Sequence, residues 1–577
     1  MKHIVDPRQT NLFDPFENIL STVGYRRIRE GWQGVFRHVI LELMPADALA
    51  GEFSPDMGTP TKELYSMAGL LLIKEFMGWT KTEAAEAYMF RADVQYALNR
   101  EPANQSMSER TIERYEKLFI ENDLAAATMA RVTGKLVELL DLDVSRQRLD
   151  STHVVSDMAT FGRTRMMGVT IQRFLTQLKR HNRAAYDALP EELRSRYAPS
   201  PGRLFADIAK DQGRRRRLRQ EVAEDLLFLI ERFADDDTMN GRTTYHALVR
   251  VFEEQCEVVD GSVAVKAHPG GDVMQNPSDP DATYDGHKGP GYQAQLSETC
   301  SAENETQLIT AAIPQTAVED DQNALPAVLD QLEQNGLLPE TLYADTGYGS
   351  DANERACAER GVDLQAPVPG AAPRDTDELN IDDFVVDEET ETVERCPAGH
   401  EPERSEHDPA TGKTRTVMPA TACANCPHQA ECPVRRVCGR YVVEHTAKQR
   451  RLAARRREQA TDAFREHYQI RAGIEGTNSG LKRRTGLGRL RCRGAPRVFH
   501  AILLKVCGWN VLRAAATETL HRVVAETLAR AVPSGIVKPV WALEGVWDRL
   551  RPPQRAAWPD WHPIRPKIVP ALYRLVA

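Results

Sequence analysis

The chain lacks what would place it in a membrane or outside a cell. Residues 1–20, MKHIVDPRQTNLFDPFENIL, have no continuous apolar run of the kind a secretory signal needs. The longest apolar run near the end, AILLKVCGWNVL at 501–512, is broken by Lys505. It falls short of the roughly 20 residues that span a bilayer. Cysteine is sparse: 10 in 577 residues exclude a disulfide scaffold. No internal repeat is evident, which excludes a solenoid. Excess positive charge is missing too, since 74 Lys/Arg against 83 Asp/Glu leave −9. By itself that balance argues against a nucleic-acid partner. These absences predict a cytoplasmic protein without membrane contact. What is present, 41% apolar and 27% charged residues, is the composition of a folded chain. The length predicts about three to five domains at about 150 residues each.

The net charge conceals opposed blocks. Residues 374–395 hold ten acids against two arginines, a net of −8. Residues 434–497 hold eighteen Lys/Arg against five acids, a net of +13. Upstream, Leu64, Met67, Leu71, Leu72 and Phe76 recur at helical spacing. Thr80-Lys-Thr-Glu83 and Ser106-Met-Ser-Glu109 have the form of capping boxes. They predict a helical domain over 1–140, either a DNA reader or a packing domain. Val144–Asp150 reads as a strand ending in an acid. Residues 164–254 read as a helical insertion. Its Arg214–Arg217 run forms a solvated basic patch ahead of Val222, Leu226, Leu229, Ile230 and Phe233. From about 290, strands at 292–297, 307–313, 341–345 and 362–367 alternate with helices at 323–332 and 351–360. That rhythm predicts an α/β sheet containing parallel pairs.

The most informative segment is 468–482. At about 100° per residue on one helix, Tyr468, Arg471, Glu475 and Lys482 fall within roughly a 60° arc. A carboxylate can ligate Mg²⁺, Arg and Lys grip phosphate oxygens, and Tyr can hydrogen-bond or stack. The plain alternative is an ion-paired solvated helix face. Against it, Gly473, Gly476 and Gly480 make a poor surface helix and leave room for another backbone to approach. Lys482, Arg483, Arg484, Arg489, Arg491 and Arg493 prolong the basic run. Separately, Cys396, Cys423, Cys426 and Cys432 make a sensible tetrahedral Zn²⁺ set, with His400 and His428 as alternative ligands. Only one true CxxC pair is present, so reduced core thiols are the competing reading.

The spacing Tyr-x2-Arg-x3-Glu-x6-Lys at Tyr468, Arg471, Glu475 and Lys482 resembles the signature of bacterial insertion-sequence transposases of the DDE class. Leu149-Asp150-Ser-Thr and Ala344-Asp345-Thr-Gly-Tyr-Gly look like that family's two Asp segments, in the family order. Asp157, Asp285, Asp320 and Asp321 compete; Asp150 is preferred because it ends the strand run, and Asp320 and Asp321 read as caps of the next helix.

The resemblance implies a ribonuclease H-like mixed sheet with flanking helices. A helical N-terminal domain precedes it, and a helical insertion and a Cys-rich insertion interrupt it. The divisions are 1–140; a core of 141–163, 255–372 and 445–515; insertions at 164–254 and 373–444; and a C-terminal helical tail at 516–577. It implies Asp150, Asp345 and Glu475 as catalytic ligands of two Mg²⁺. Tyr468, Arg471, Lys482, Arg483, Arg484, Arg489, Arg491 and Arg493 become DNA contacts. The partners are double-stranded element ends and target DNA, bound by a homodimer at the bacterial nucleoid. Two other readings stay open: an inactive DNA-binding regulator, and a metal-dependent nuclease without strand transfer.

Overall fold

The computed structural model describes residues 2–9, 14–102, 105–206, 212–370 and 379–531. Asp375, Asp377 and Glu378 of the acidic block, and the chain beyond 531, lie outside them. The chain divides into a unit of residues 1–522 and a second of 523–577.

The first layer is helical. Helix α1 (Leu64–Met77) is buried nearly all round, so Leu70 and Ile73 beyond the predicted stripe are covered as well. The Glu63 carboxylate caps it by accepting from the Tyr65 and Ser66 amides, and Gly78 at φ +67° ends it in the left-handed region. Helix α2 (Lys81–Phe90) begins in the expected Thr80–Glu83 box. Helix α3 (Glu109–Glu121) starts later than its sequence suggests: the cap is Ser108, not Ser106, because the Ser108 hydroxyl accepts from the Thr111 amide. Helix α4 (Leu124–Leu140) follows.

A mixed sheet comes next, built from β1 (Arg146–Val154), β2 (Thr283–Asp285), β3 (Gly289–Thr299), β4 (Ile309–Thr316), β5 (Thr341–Tyr343) and β6 (Asp363–Gln365). The path is β2-β3-β1-β5-β6, with β4 also paired to β3. β3 is antiparallel to β1 and β4, whereas β5 is parallel to β1 and β6 is parallel to β5. β1 does not end at Asp150. It continues to Val154, and Asp150 sits mid-strand opposite Leu296. The extension follows from pairing: Ser151–Val154 lie opposite Tyr292–Gln295, and past the acid the buried positions switch from Gln147 and Leu149 to Thr152 and Val154 on the other face.

Between β1 and β2 lie helices α5 (Arg163–His181), α6 (Gln212–Phe233) and α7 (Thr243–Gln255), in the stretch expected to be helical. It has its own core of Phe174, Val222, Leu226, Leu229, Phe233 and Leu248. Helices α8 (Asp321–Gln334) and α9 (Asp351–Ala358) flank β5 in the chain. Leu325, Val328, Leu329 and Leu332 of α8 pack on Leu149, Leu342 and Leu364 of the sheet. Truncating one such leucine costs about 2–5 kcal/mol. The Cys-rich stretch is a small four-stranded antiparallel sheet of Arg404–Asp408, Lys413–Met418, Arg440–Thr446 and Arg435–Val437, in that order.

The basic block then supplies α10 (Ala447–Gln459), α11 (Asp462–Tyr468), α12 (Gly473–Thr485), α13 (Ala495–Ala514) and α14 (Glu518–Ala531). The apolar run at 501–512 is the buried middle of α13. No single helix among the described residues is long and apolar enough to cross a membrane.

Helix α13 ties the helical layer to the sheet. Asn510 accepts from the Ile309 amide (2.9 Å) and donates to the Ile309 carbonyl (2.7 Å) and Thr133 (3.1 Å). Lys505 donates to the carbonyls of Glu75 (2.7 Å) and Thr485 (2.8 Å), joining α1 to the end of α12. Lys74 pairs with Glu75 at 2.5 Å and Glu116 at 2.7 Å. Burial opposes charge on Glu75, but Lys74, Lys505 and His500 together hold it down at about 2.

Candidate active site

The expected single helix over 468–482 is broken. α11 stops at Tyr468, Gln469–Ala472 form a 3₁₀ turn, and α12 begins at Gly473. The cause is long-range. Arg148 of β1 donates to Glu298 of β3 (2.8 and 2.6 Å) and to the Ile470 carbonyl in the turn (3.1 Å). Glu298 is wholly buried, and it also accepts from Thr477 of α12 at 2.7 Å. A Cβ at Gly473 would collide with the Arg148 guanidinium, and one at Gly480 would meet the Trp509 ring at 2.8 Å. The glycines therefore admit side chains, not the backbone the sequence suggested.

This clamp fixes where the signature side chains stand. Arg471 Nη2 lies 3.0 Å from Asp150 Oδ1 and 3.9 Å from Asp345 Oδ2, and its Nη1 lies 3.1 Å from Glu475 Oε1. One guanidinium thus gathers all three predicted carboxylates, from mid-β1, the loop after β5 and the first turn of α12. Their side-chain exposure rises from 15% at Asp150 to 37% at Asp345 and 67% at Glu475, so the site opens to solvent on the α12 side. Asn478 donates to Asp150 Oδ2 at 3.0 Å, and the Tyr468 hydroxyl donates to the Ala344 carbonyl at 2.9 Å. Tyr468 consequently braces the Asp345 loop and stacks on Phe464.

Burial raises the Asp150 pKa, Arg471 opposes the rise, and Asp345 and Asp321 add to it. Burial works against charge on Arg471, yet Asp150, Tyr468, Asp345 and Glu475 keep its pKa above the ordinary value. Lys482 is lowered by burial and by Lys288.

Asp321 stands beside Asp320 at the start of α8, where either could cap the helix. Asp320 takes that role by accepting from the Gln322 amide, while Asp321 turns toward the sheet. Its carboxylate accepts from Ser151 (3.1 Å) and Gln295 (2.9 Å). Buried Gln295 in turn accepts from the Tyr348 hydroxyl. Lys288 in the β2–β3 turn donates to Ser151 at 2.9 Å and faces Lys482. Neither carried a usable signal: Asp321 has the form of a helix cap, and no local pattern marks Lys288.

The remaining basic residues follow Lys482 in the chain and are exposed. Segment 488–492 runs beside the end of β1, with Leu490 donating to the Val155 carbonyl and Asp157 to the Cys492 carbonyl. Extended alternation turns Leu490 inward and leaves Arg489, Arg491 and Arg493 exposed. Arg483 and Arg484 are exposed on α12. Arg493 pairs with Asp157 at 2.9 Å and Arg491 with Glu83 at 3.5 Å. Asp285 ends β2, where it accepts from the His287 and Lys288 amides of the β2–β3 turn.

Cys396, Cys423, Cys426 and Cys432 line one cavity together with His400 and His428. Burial and the neighbouring thiols push Cys423 up to about 11. Among the described residues, no three His, Cys, Asp or Glu side chains stand at the spacing that holds one ion, at the carboxylates or at the thiols. At the carboxylates, the hard oxygen donors a divalent cation requires already surround one positive charge, that of Arg471.

Residues 395–515 match a family model described as a transposase DDE domain. The transposase match contains Tyr468, Arg471, Glu475, Lys482 and the four thiols; Asp150 and Asp345 lie outside it. No curated protein and no solved structure matches the chain. The match assigns this segment a transposase-type, DNA-processing character.

Proposed function

We propose that the chain is an insertion-sequence DDE transposase that cleaves DNA at element ends and joins the 3′ ends to target DNA. The observation that carries the reading is the meeting of Asp150, Asp345 and Glu475 around Arg471. The strand path, with β1 central, antiparallel to β3 and parallel to β5, supports a ribonuclease H-like core. Asp150, Asp345 and Glu475 would hold two Mg²⁺. Bound there, the ions would lower the pKa of the attacking water or 3′-hydroxyl and stabilise the leaving oxygen.

The chain's own residues have separable tasks. The Arg148–Glu298 clamp sets the 3₁₀ turn against β1. Arg471 neutralises the carboxylates in the absence of DNA. Lys482 and Lys288 flank the Asp150 edge, where a phosphodiester would need positive charge. Arg483, Arg484, Arg489, Arg491 and Arg493 continue that edge along a path suited to a DNA backbone. Holding two ends together calls for a homodimer on DNA, in the cytoplasm at the nucleoid. The proposed divisions remain those of the sequence, with the compact body reaching Arg522.

Strand cleavage of an end-containing duplex with Mg²⁺ tests the assignment. Asp150→Asn, Asp345→Asn and Glu475→Gln should each abolish cleavage while duplex binding survives. Full activity in any one refutes it. Cleavage without joined product would favour a nuclease, and binding without cleavage in the unaltered chain would favour a regulator. Cys396, Cys423, Cys426 and Cys432 are proposed to hold structural Zn²⁺, because all four thiols face one cavity in a segment with a small apolar core. Purified protein should contain about one zinc per chain, and chelator should lower its melting temperature. Zinc-free protein that chelator leaves unchanged refutes this.

A further inference from the structure

The helical insertion carries a basic cavity remote from the carboxylates in sequence. Arg163 and Arg165 at the start of α5 meet Arg215 and Arg219 of α6 around a cavity of about 250 Å³. Phe205 and Leu218 supply its apolar wall. Three of the arginines are oriented by neutral partners. Arg163 donates to the Gln255 carbonyl (2.8 Å), Arg165 to the Leu204 carbonyl (3.0 Å) and Arg219 to the Thr164 hydroxyl (3.0 Å). Among the described residues, no carboxylate lines the cavity and none of the four is in an ion pair. Burial and the proximity of Arg219 lower the Arg163 pKa. Among the described residues, these four cations are held together by neutral contacts, with no anion in the cavity lining to offset their repulsion.

The chemistry selects the ligand class. Guanidinium forks match phosphate oxygens, and several can share one group. The cavity is smaller than the roughly 300–1,000 Å³ of sites that engulf a small molecule, so a single phosphodiester suits it better than a nucleotide. It also lies on a continuing basic path. Arg173, further along α5, is exposed and close enough to Arg493 to have its pKa lowered by burial and by that charge. At about 100° per residue, Arg173 falls between Arg163 and Arg165 in helical angle. The ten residues from Arg163 to Arg173 span about 15 Å, the length of four or five base steps along one strand.

We propose that the cavity between α5 and α6 receives a backbone phosphate of bound DNA, several steps beyond the segment gripped by Arg489, Arg491 and Arg493. The inference rests on the DNA-processing reading above. The test uses the full chain and two duplexes: a short one that covers only the carboxylate site, and a long one that reaches the insertion. Arg215→Glu alters an exposed side chain. Arg165→Gln with Arg215→Gln provides a second, milder variant. For the long duplex, the slope of log affinity against log salt should fall in magnitude by about 0.9, the value of one phosphate contact. Short-duplex binding should equal that of the unaltered chain.

An unchanged slope on the long duplex overturns the site, and so does an equal loss on both duplexes. Inorganic phosphate that raises the melting temperature of the unaltered chain but not of the variants, with DNA binding unchanged in them, would identify free phosphate as the occupant and overturn it as well. If the unaltered chain binds neither duplex, the DNA reading itself fails, an outcome distinct from failure of this cavity alone.

Discussion

Removing Arg148 should damage both the fold and the site. Glu298 has 0% side-chain exposure and Arg148 12%, so the pair is nearly dry. Two charge-assisted hydrogen bonds, 2.8 and 2.6 Å, hold it, and Thr477 adds one at 2.7 Å. Arg148→Ala leaves a buried carboxylate with only the Thr477 hydroxyl, at a cost of about 3–5 kcal/mol. Glu298→Ala strands the guanidinium at a similar cost. The double variant removes both desolvated charges and should lose much less than the sum, giving a coupling of at least about 2 kcal/mol. Urea midpoints at constant slope measure all four corners. A second cycle reads the geometry. Gly473→Ala drives a methyl into the Arg148 guanidinium and should cost about 1–3 kcal/mol. In the Arg148→Ala background that space is vacant, and the cost should vanish. A single-variant loss below about 1 kcal/mol, additive energies, or an equal Gly473→Ala penalty in both backgrounds would refute the clamp.

Other outcomes follow from the same contacts. Glu75 is held at about 2 against an ordinary 4.5. Its folded pKa is depressed, so its contribution of roughly 3 kcal/mol is present above pH 4.5 and is lost as pH falls from there toward 2. Glu75→Gln should flatten that part of the acid-unfolding profile; an unaltered profile would exclude the network as its source. Gly508→Ala would press a methyl into Phe76, so it should lower stability by about 1–3 kcal/mol in thermal unfolding. A neutral result would mean that α13 shifts freely on α1.

The two kinds of information divide by range. Periodicity and capping are coded within about ten residues. The helix of 64–77, the Thr80–Glu83 box, the apolar face of the insertion and the strand near 341 were therefore legible. So was the Tyr468–Lys482 spacing; the three acids singled out in the sequence do meet around Arg471. The sequence also localised charge that the net −9 concealed. Only the folded chain decided how those parts act. Arg148 meets Glu298 across 150 positions, and Arg471 reaches Asp150 across 321. No local pattern encodes such pairings, because each depends on which strand lies alongside and what it desolvates. β1 runs past Asp150 because β3 pairs with it. The helix breaks at 469–472 where a cation from β1 holds the Ile470 carbonyl. Asp321 faces the site, and Arg215 and Arg219 close on Arg163 and Arg165 to form a cavity, because burial of apolar faces fixed the helices that carry them.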